Sequence, residues 1–167
     1  GVAAPDAQAA ARVGSPARGP VRAGKSPAGL GITAHIGDAQ PQHWGRDTPL
    51  RPARYADRLP HEETTLAETL HDAGYATLHA GKWHLGHRPG QLPTDQGFDV
   101  YAGVPYSNDM AQFHRKPNAK YTFRLPWMEG EEVVEWEPDQ RLLTKRQTDA
   151  AIAFIEADSD APFFAYV

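Results

Sequence analysis

The stretch Gly74-Tyr75-Ala76-Thr77-Leu78-His79-Ala80-Gly81-Lys82-Trp83-His84-Leu85-Gly86 decides the fold class once it is read with its neighbours. Just upstream, Thr64 or Thr65 can cap a helix running through Leu66, Ala67, Leu70 and Ala73, and Gly74 suits its left-handed stop. Glu68 falls in the first turns and His71 near the end, as the helix dipole favours. Tyr75–Ala80 then reads as a short strand. Pro60–Ala80 is therefore a helix feeding a strand, half of an α/β repeat.

A second such unit closes the chain. Asp139 can cap a helix whose apolar positions are Leu142, Leu143, Ala150, Ala151, Phe154 and Ile155, near the helical period. Pro162–Val167 reads as the buried strand it feeds, and a strand at a raw terminus suggests a chain cut from something longer. Gly81–Pro138, between the units, shows little periodicity; a loop that long is functional or poorly ordered. Val133, Val134 and Trp136 hint at a hairpin or edge strand there. Gly1–Arg54 has one short apolar piece, Leu30–Ile36, and otherwise reads as a flexible arm.

Composition narrows the function classes. A net charge of −4 gives no general attraction to nucleic acid or anionic membrane. No apolar run approaches the ~20 residues that span a bilayer, and Gly1–Arg12 lacks a signal-peptide pattern. The absence of cysteine excludes disulfides, thiolate metal sites and a cysteine nucleophile. Fifteen glycines and fifteen prolines imply many loops, yet an apolar content of 40% is too high for a disordered chain.

Lys82 and His84 carry the chemistry. In an extended Gly81–Leu85 they share one face, about 6.6 Å apart along the strand, with Trp83 facing the other way to pack. A sulfate or phosphate ester needs a fixed positive charge and a proton-transferring group near its bridging oxygen; lysine supplies the first and histidine the second. Gly81 and Gly86 let backbone approach an anion closely. The pair points to a hydrolase of such esters. The same spacing also fits a solvated lysine beside a packed histidine.

Leu66-Ala67-Glu68, Asp72-Ala73-Gly74-Tyr75-Ala76-Thr77 and Gly81-Lys82-Trp83-His84-Leu85-Gly86 together resemble the second signature of the formylglycine-dependent sulfatases. Pro93-Thr94, Gly97-Phe98-Asp99 and Gly103-Val104-Pro105-Tyr106-Ser107-Asn108-Asp109 continue the likeness in the manner of arylsulfatases. The resemblance implies an α/β fold, part of an alkaline-phosphatase-like α/β/α sandwich with a mostly parallel sheet. It implies hydrolysis of a small-molecule or carbohydrate sulfate ester, with no nucleic acid and no membrane span. It assigns Lys82 to the sulfate oxygens and the nucleophile, His84 to a hydrogen bond with the nucleophile as the base that expels sulfate, and Ser107 to a minor sulfate contact. Residue chemistry alone allows Ser107 to be a turn-capping serine beside Asn108 and Asp109.

The family's first signature, Cys-x-Pro-Ser-Arg, aligns without gaps on Val13-Gly14-Ser15-Pro16-Ala17-Arg18, followed by Gly24-Lys25-Ser26-Pro27. Arg18 takes the place of the arginine that orients and charge-stabilises the nucleophile. Gly14 stands where the family oxidises a cysteine to formylglycine: a genuine loss, or a stand-in for a modified residue. Arg22 and Ala23 stand where the family favours an apolar residue and threonine.

Calcium is implied by the family, with paired aspartates expected before residue 1 and an Asp-Asn pair, a histidine and a lysine expected after Val167; the chain itself offers no recognisable metal ligand set. His35, His43, His61, His79, His87 and His114 show no metal spacing and read as surface or packing residues. The family also suggests a periplasmic or secreted protein.

The resulting expectation is one fragment of a sulfatase catalytic domain. Residues 1–59 form the loop-rich nucleophile region, 60–86 the helix–strand with Gly-Lys-Trp-His, 87–138 a long substrate-side loop, and 139–167 a helix–strand. The alternative is an inactive remnant or anion-binding module that keeps only the anion-holding pair. A remote alternative is nucleotide binding, because Gly19-Pro20-Val21-Arg22-Ala23-Gly24-Lys25-Ser26 fits the P-loop pattern. Against it, Ala9–Arg18 makes a poor preceding strand and Gly29 and Gly31 disfavour a following helix.

Overall fold

In a computed structural model that describes residues 11, 14–37, 40–43, 45, 47–110, 124–157 and 160–167, Thr65 rather than Thr64 caps the central helix. Helix α2 spans Leu66–Asp72. The Thr65 hydroxyl accepts from the Glu68 amide at 3.0 Å, and the Glu68 carboxylate accepts from the Thr65 amide at 2.7 Å. Such a reciprocal cap stabilises a helix by about 1 kcal/mol. Gly74, at φ 86°, turns the chain out of the helix and into strand β1, Ala76–Lys82.

Strand β1 runs two residues past the expected end at Ala80, because strand β2 (Val100–Val104) pairs with it in parallel as far as Lys82 opposite Val104. Its side chains alternate. Leu78 and Ala80 pack with Ala151 of helix α3 (Leu143–Glu156). His79 turns the other way, edge-on to Trp83, Phe98 and Tyr101. Helix α1 (Ser15–Ala23) and α2 lie on that second face, so helices cover both sides of the sheet.

The five-stranded sheet has the order β4-β3-β2-β1-β5, with β3 Pro126–Glu129, β4 Glu132–Trp136 and β5 Phe163–Tyr166. Strands β2, β1 and β5 are parallel, while β3 and β4 form the antiparallel hairpin that Val133, Val134 and Trp136 suggested. The described part of residues 87–138 thus holds three strands rather than one long loop. Strand β2 carries Ala102 and Gly103 and is buried on both faces, so it shows no period-two alternation to read. Strand β5 is not the buried strand expected: Phe163 is 48% exposed, because among the described residues only β1 pairs with it. Asp139 caps a short 3₁₀ turn, Gln140–Leu142, that leads into α3 rather than capping α3 directly.

The amino-terminal region contains more order than a flexible arm. Helix α1 opens with Pro16 in its first turn and closes at Gly24 in the left-handed region, and its buried residues are Ser15, Gly19, Pro20 and Arg22. That face has no apolar stripe, so no helical pattern announces it. A side chain at Gly19 would press on Leu30 and Ile32, which join the core with Ile36, Trp83 and Leu85. The P-loop pattern falls on α1 and its stop, with a helix before Lys25 where the mechanism needs a strand, and Lys25 pairs with Glu63 at 2.5 Å. The readings of Gly1–Arg12, residue 11 apart, and of Val13 and His114 lie outside the described residues. Among the described residues no helix is long and apolar enough to cross a membrane.

Candidate active site

Lys82 ends β1, His84 follows two residues later, Ser107 lies beyond the end of β2, and Gly14 precedes α1. All four line one cavity of about 290 Å³, shared with His35, Asp109 and Met110. It sits at the carboxyl ends of two parallel strands and at the amino end of a nine-residue helix. Open α/β sheets hold ligands at that edge, and a helix amino end favours anions.

Lys82 and His84 meet there by a different route from the pleat alternation expected. The strand ends at Lys82, and His84 adopts φ 60°, a left-handed conformation rare for a histidine. Three interactions over-determine it. The His84 amide donates to the Pro105 carbonyl at 3.1 Å, and its own carbonyl accepts from the Ser15 hydroxyl at 2.8 Å. The ring Nε2 lies 3.0 Å from the Ile36 carbonyl, whose amide in turn donates to Ser15 Oγ at 3.0 Å.

A carbonyl can only accept, so Nε2 carries the proton and Nδ1 keeps its lone pair. That Nδ1 is buried and has no partner among the described residues. Burial lowers the ring's pKa to about 4, the Ile36 carbonyl opposing and Lys82, His35 and Arg18 adding to the fall. His84 is therefore a neutral imidazole with a free acceptor.

The Lys82 ammonium donates to Ser107 Oγ at 3.4 Å. Burial lowers its pKa first and Arg18 second, with Asp109 acting against them. Arg18 is not among the residues lining the cavity; its Nη1 donates to the Lys82 carbonyl at 2.8 Å from behind. The sequence missed His35, Asp109 and Met110. Asp109 sat within the resembling stretch, whereas His35 carried no spacing signal.

Gly14 does not fit a formylglycine. It has no Cβ, and its φ of 72° is a conformation that side chains rarely adopt. Space is not the obstacle, since an added Cβ would stand 3.6 Å from His35 Cβ and Pro16 Cδ. Calcium is no better provided for. Among the described residues Asp109 is the only carboxylate lining the cavity, and no group of three His, Asp or Glu side chains converges. A larger cavity, about 680 Å³, lies between α3 and strands β2 and β3 but presents neither lysine nor histidine among the described residues.

The family model that describes sulfatases matches residues 5–167. The chain belongs to the sulfatase family. Arylsulfatase G of Rattus norvegicus is 37% identical over 132 residues, covering 65% of this chain and 25% of that protein. The arylsulfatase of Klebsiella aerogenes is 44% identical over 71 residues, covering 40% of this chain and 15% of its own length. The sulfatase-family chain thus spans about a quarter or less of these curated relatives. Among solved structures, Ps i-CgsB in complex with k-i-k-neocarrahexaose superposes with a TM-score of 0.67 at 21% identity, covering 95% of this chain and 34% of that one. The fold is accordingly the alkaline-phosphatase-like α/β/α arrangement expected.

Proposed function

We propose that the protein this chain belongs to hydrolyses a sulfate ester, R–O–SO₃⁻, and that the chain supplies the anion-holding side of its site. The observation that carries this is the convergence of Lys82, His84, Ser107 and the amino end of α1 on one cavity. The Lys82 ammonium and Ser107 hydroxyl hold sulfate oxygens, and the helix dipole adds positive potential. His84 Nδ1 accepts a proton, its tautomer held by Ile36. Arg18 holds Lys82 through its backbone.

Family members use a formylglycine nucleophile and calcium, but the residues here fit neither, so no covalent step is assigned to them. Small-molecule or carbohydrate sulfate esters are the substrate class, the second by analogy with the oligosaccharide bound to Ps i-CgsB. A periplasmic or secreted location is part of the same proposal. Gly14 favours a second reading, an anion-binding module without turnover.

Sulfate titration and 4-nitrophenyl sulfate hydrolysis separate them, using the chain, Lys82→Ala, and Gly14→Cys produced with a formylglycine-generating enzyme. Turnover that Lys82→Ala and calcium removal both abolish supports the hydrolase. Sulfate binding lost in Lys82→Ala, with no turnover in any form, supports the module. Absence of sulfate binding in a folded chain overturns the anion-holding role on which both readings rest.

A further inference from the structure

The Arg22 guanidinium, 4% exposed, joins helix α1 to the β1 segment on both sides of Lys82. Three residues before the lysine, His79 Nε2 accepts from Arg22 Nη2 at 2.8 Å. An arginine can only donate, so the His79 proton sits on Nδ1, the opposite tautomer to that of His84. One residue after the lysine, the Trp83 ring centre lies 4.9 Å from the guanidinium carbon, and the Tyr166 ring of β5 lies 4.1 Å from it. Nη1 donates to the Arg18 carbonyl at 3.0 Å, and Arg18 in turn donates to the Lys82 carbonyl at 2.8 Å. Arg22, Arg18, Lys82 and Trp83 thus form a closed circuit.

Stability does not account for a cation in that slot. Among the described residues no carboxylate pairs with Arg22. Burial lowers its pKa to about 10, Tyr166 opposing and Arg18 adding to the fall, so the charge persists at neutral pH. A well-packed apolar side chain in place of a buried charge is often neutral or stabilising, and the sulfatase pattern favours an apolar residue at this position. Hydrocarbon would fill the space but hold neither His79 Nε2 nor the Arg18 carbonyl. The planar guanidinium holds both while facing two rings.

Trp83 passes the constraint on. Its ring is fully buried, edge-on to His79 and Phe98, and its Nε1 donates to the Gln91 carbonyl at 2.8 Å. Its backbone links Lys82 to His84, so a shift of the close-packed ring would carry both cavity side chains with it.

We propose that Arg22 is a positioning residue for the Lys82–His84 pair, fixing through His79 and Trp83 the segment on which both stand; this rests on the anion-holding reading of their cavity. Arg22 does not line that cavity, so it acts only through these neighbours.

Sulfate titration of the full chain and nitrogen-15 NMR of its histidine rings test this together. Arg22→Leu should weaken sulfate binding roughly three- to thirtyfold. It should also move the His84 ring-nitrogen signals away from those of a fixed Nε2–H tautomer. Unchanged His84 signals overturn the inference whatever the melting temperature, and so does unchanged sulfate affinity. A parent chain that binds no sulfate refutes the anion-holding reading instead, and the His84 signals then decide the positioning role alone. Should Arg22→Leu fail to fold, Arg22→Leu combined with His79→Leu replaces both hydrogen-bond partners by hydrocarbon, a nearly neutral exchange for folding, and is read the same way.

Discussion

Arg18 reaches Lys82 through the backbone: its Nη1 donates to the Lys82 carbonyl at 2.8 Å, across 64 residues of chain. This bond fastens the first turns of α1 to the end of β1, where the ammonium side chain departs. Arg18 thereby acts on the cavity by fixing the strand that carries Lys82. Arg18→Met should destabilise the fold by about 1–3 kcal/mol, the range for losing a charged donor to a part-buried acceptor. It should also weaken sulfate binding, with Lys82 still present. Urea unfolding and sulfate titration of the same preparation check both; unchanged sulfate affinity in a destabilised variant would refute the positioning role.

His84 predicts a pH dependence with a definite sign. Its folded pKa is about 4, below the ordinary 6.5, so the unfolded chain binds more protons in between. Stability is then complete above about 6.5 and falls as pH drops towards 4, by on the order of 3 kcal/mol from this ring. His79, buried and facing Arg22, is shifted in the same direction and adds to the loss. Urea midpoints at pH 7.5 and 4.5 should differ less in His84→Gln than in the parent chain. Equal losses in both would show that His84 is not the titrating group.

The helix–strand units were legible because their punctuation is local. Thr65, Glu68 and Gly74 form a cap, a capping box and a left-handed stop within ten residues. Helix α1 was not legible, because its buried face holds Ser15, Gly19 and Arg22, whose partners His84, Leu30 and His79 lie far along the chain. The same distinction runs through the site. Lys82, His84 and Ser107 could be named from a contiguous motif. His35 lines the cavity next to Ile36, whose carbonyl orients His84, a relation no spacing rule contains. The route by which Lys82 and His84 converge was also hidden, since a φ of 60° at a histidine is imposed by tertiary bonds.

Gly14 separates room from conformation. An added Cβ would find ordinary contact distances of 3.6 Å, yet at φ 72° a side chain is strained whatever the space. At φ 72° and ψ −159° Gly14 lies in a region essentially reserved for glycine, so Gly14→Ala should cost about 1–3 kcal/mol. Thermal unfolding of Gly14→Ala beside Gly24→Ala, a second positive-φ glycine with open space around it, gives the comparison. A loss at Gly14 at least as large as at Gly24, whose ψ of 17° is the milder left-handed helical one, would assign it to backbone strain; no loss at Gly14 would refute that.

Gly103 is the opposite case, where space alone decides. It sits opposite Gly81 in the β1–β2 ladder, and its φ falls outside the left-handed range, so alanine would suffer no backbone strain. An added Cβ would nonetheless land on the Gly81 carbonyl oxygen and close on the Gly81 nitrogen, at 2.9 Å. Neither group can swing aside as a flexible side-chain end would, since both belong to β1. The strands must separate, and Lys82 is the next residue. Gly103→Ala should therefore cost about 3 kcal/mol or more, the upper range for overpacking, and abolish sulfate binding in whatever fraction remains folded. Circular dichroism melts with a sulfate titration below the transition test this. A variant that melts within a degree or two of the parent would mean that β1 and β2 are not packed backbone to backbone at this pair.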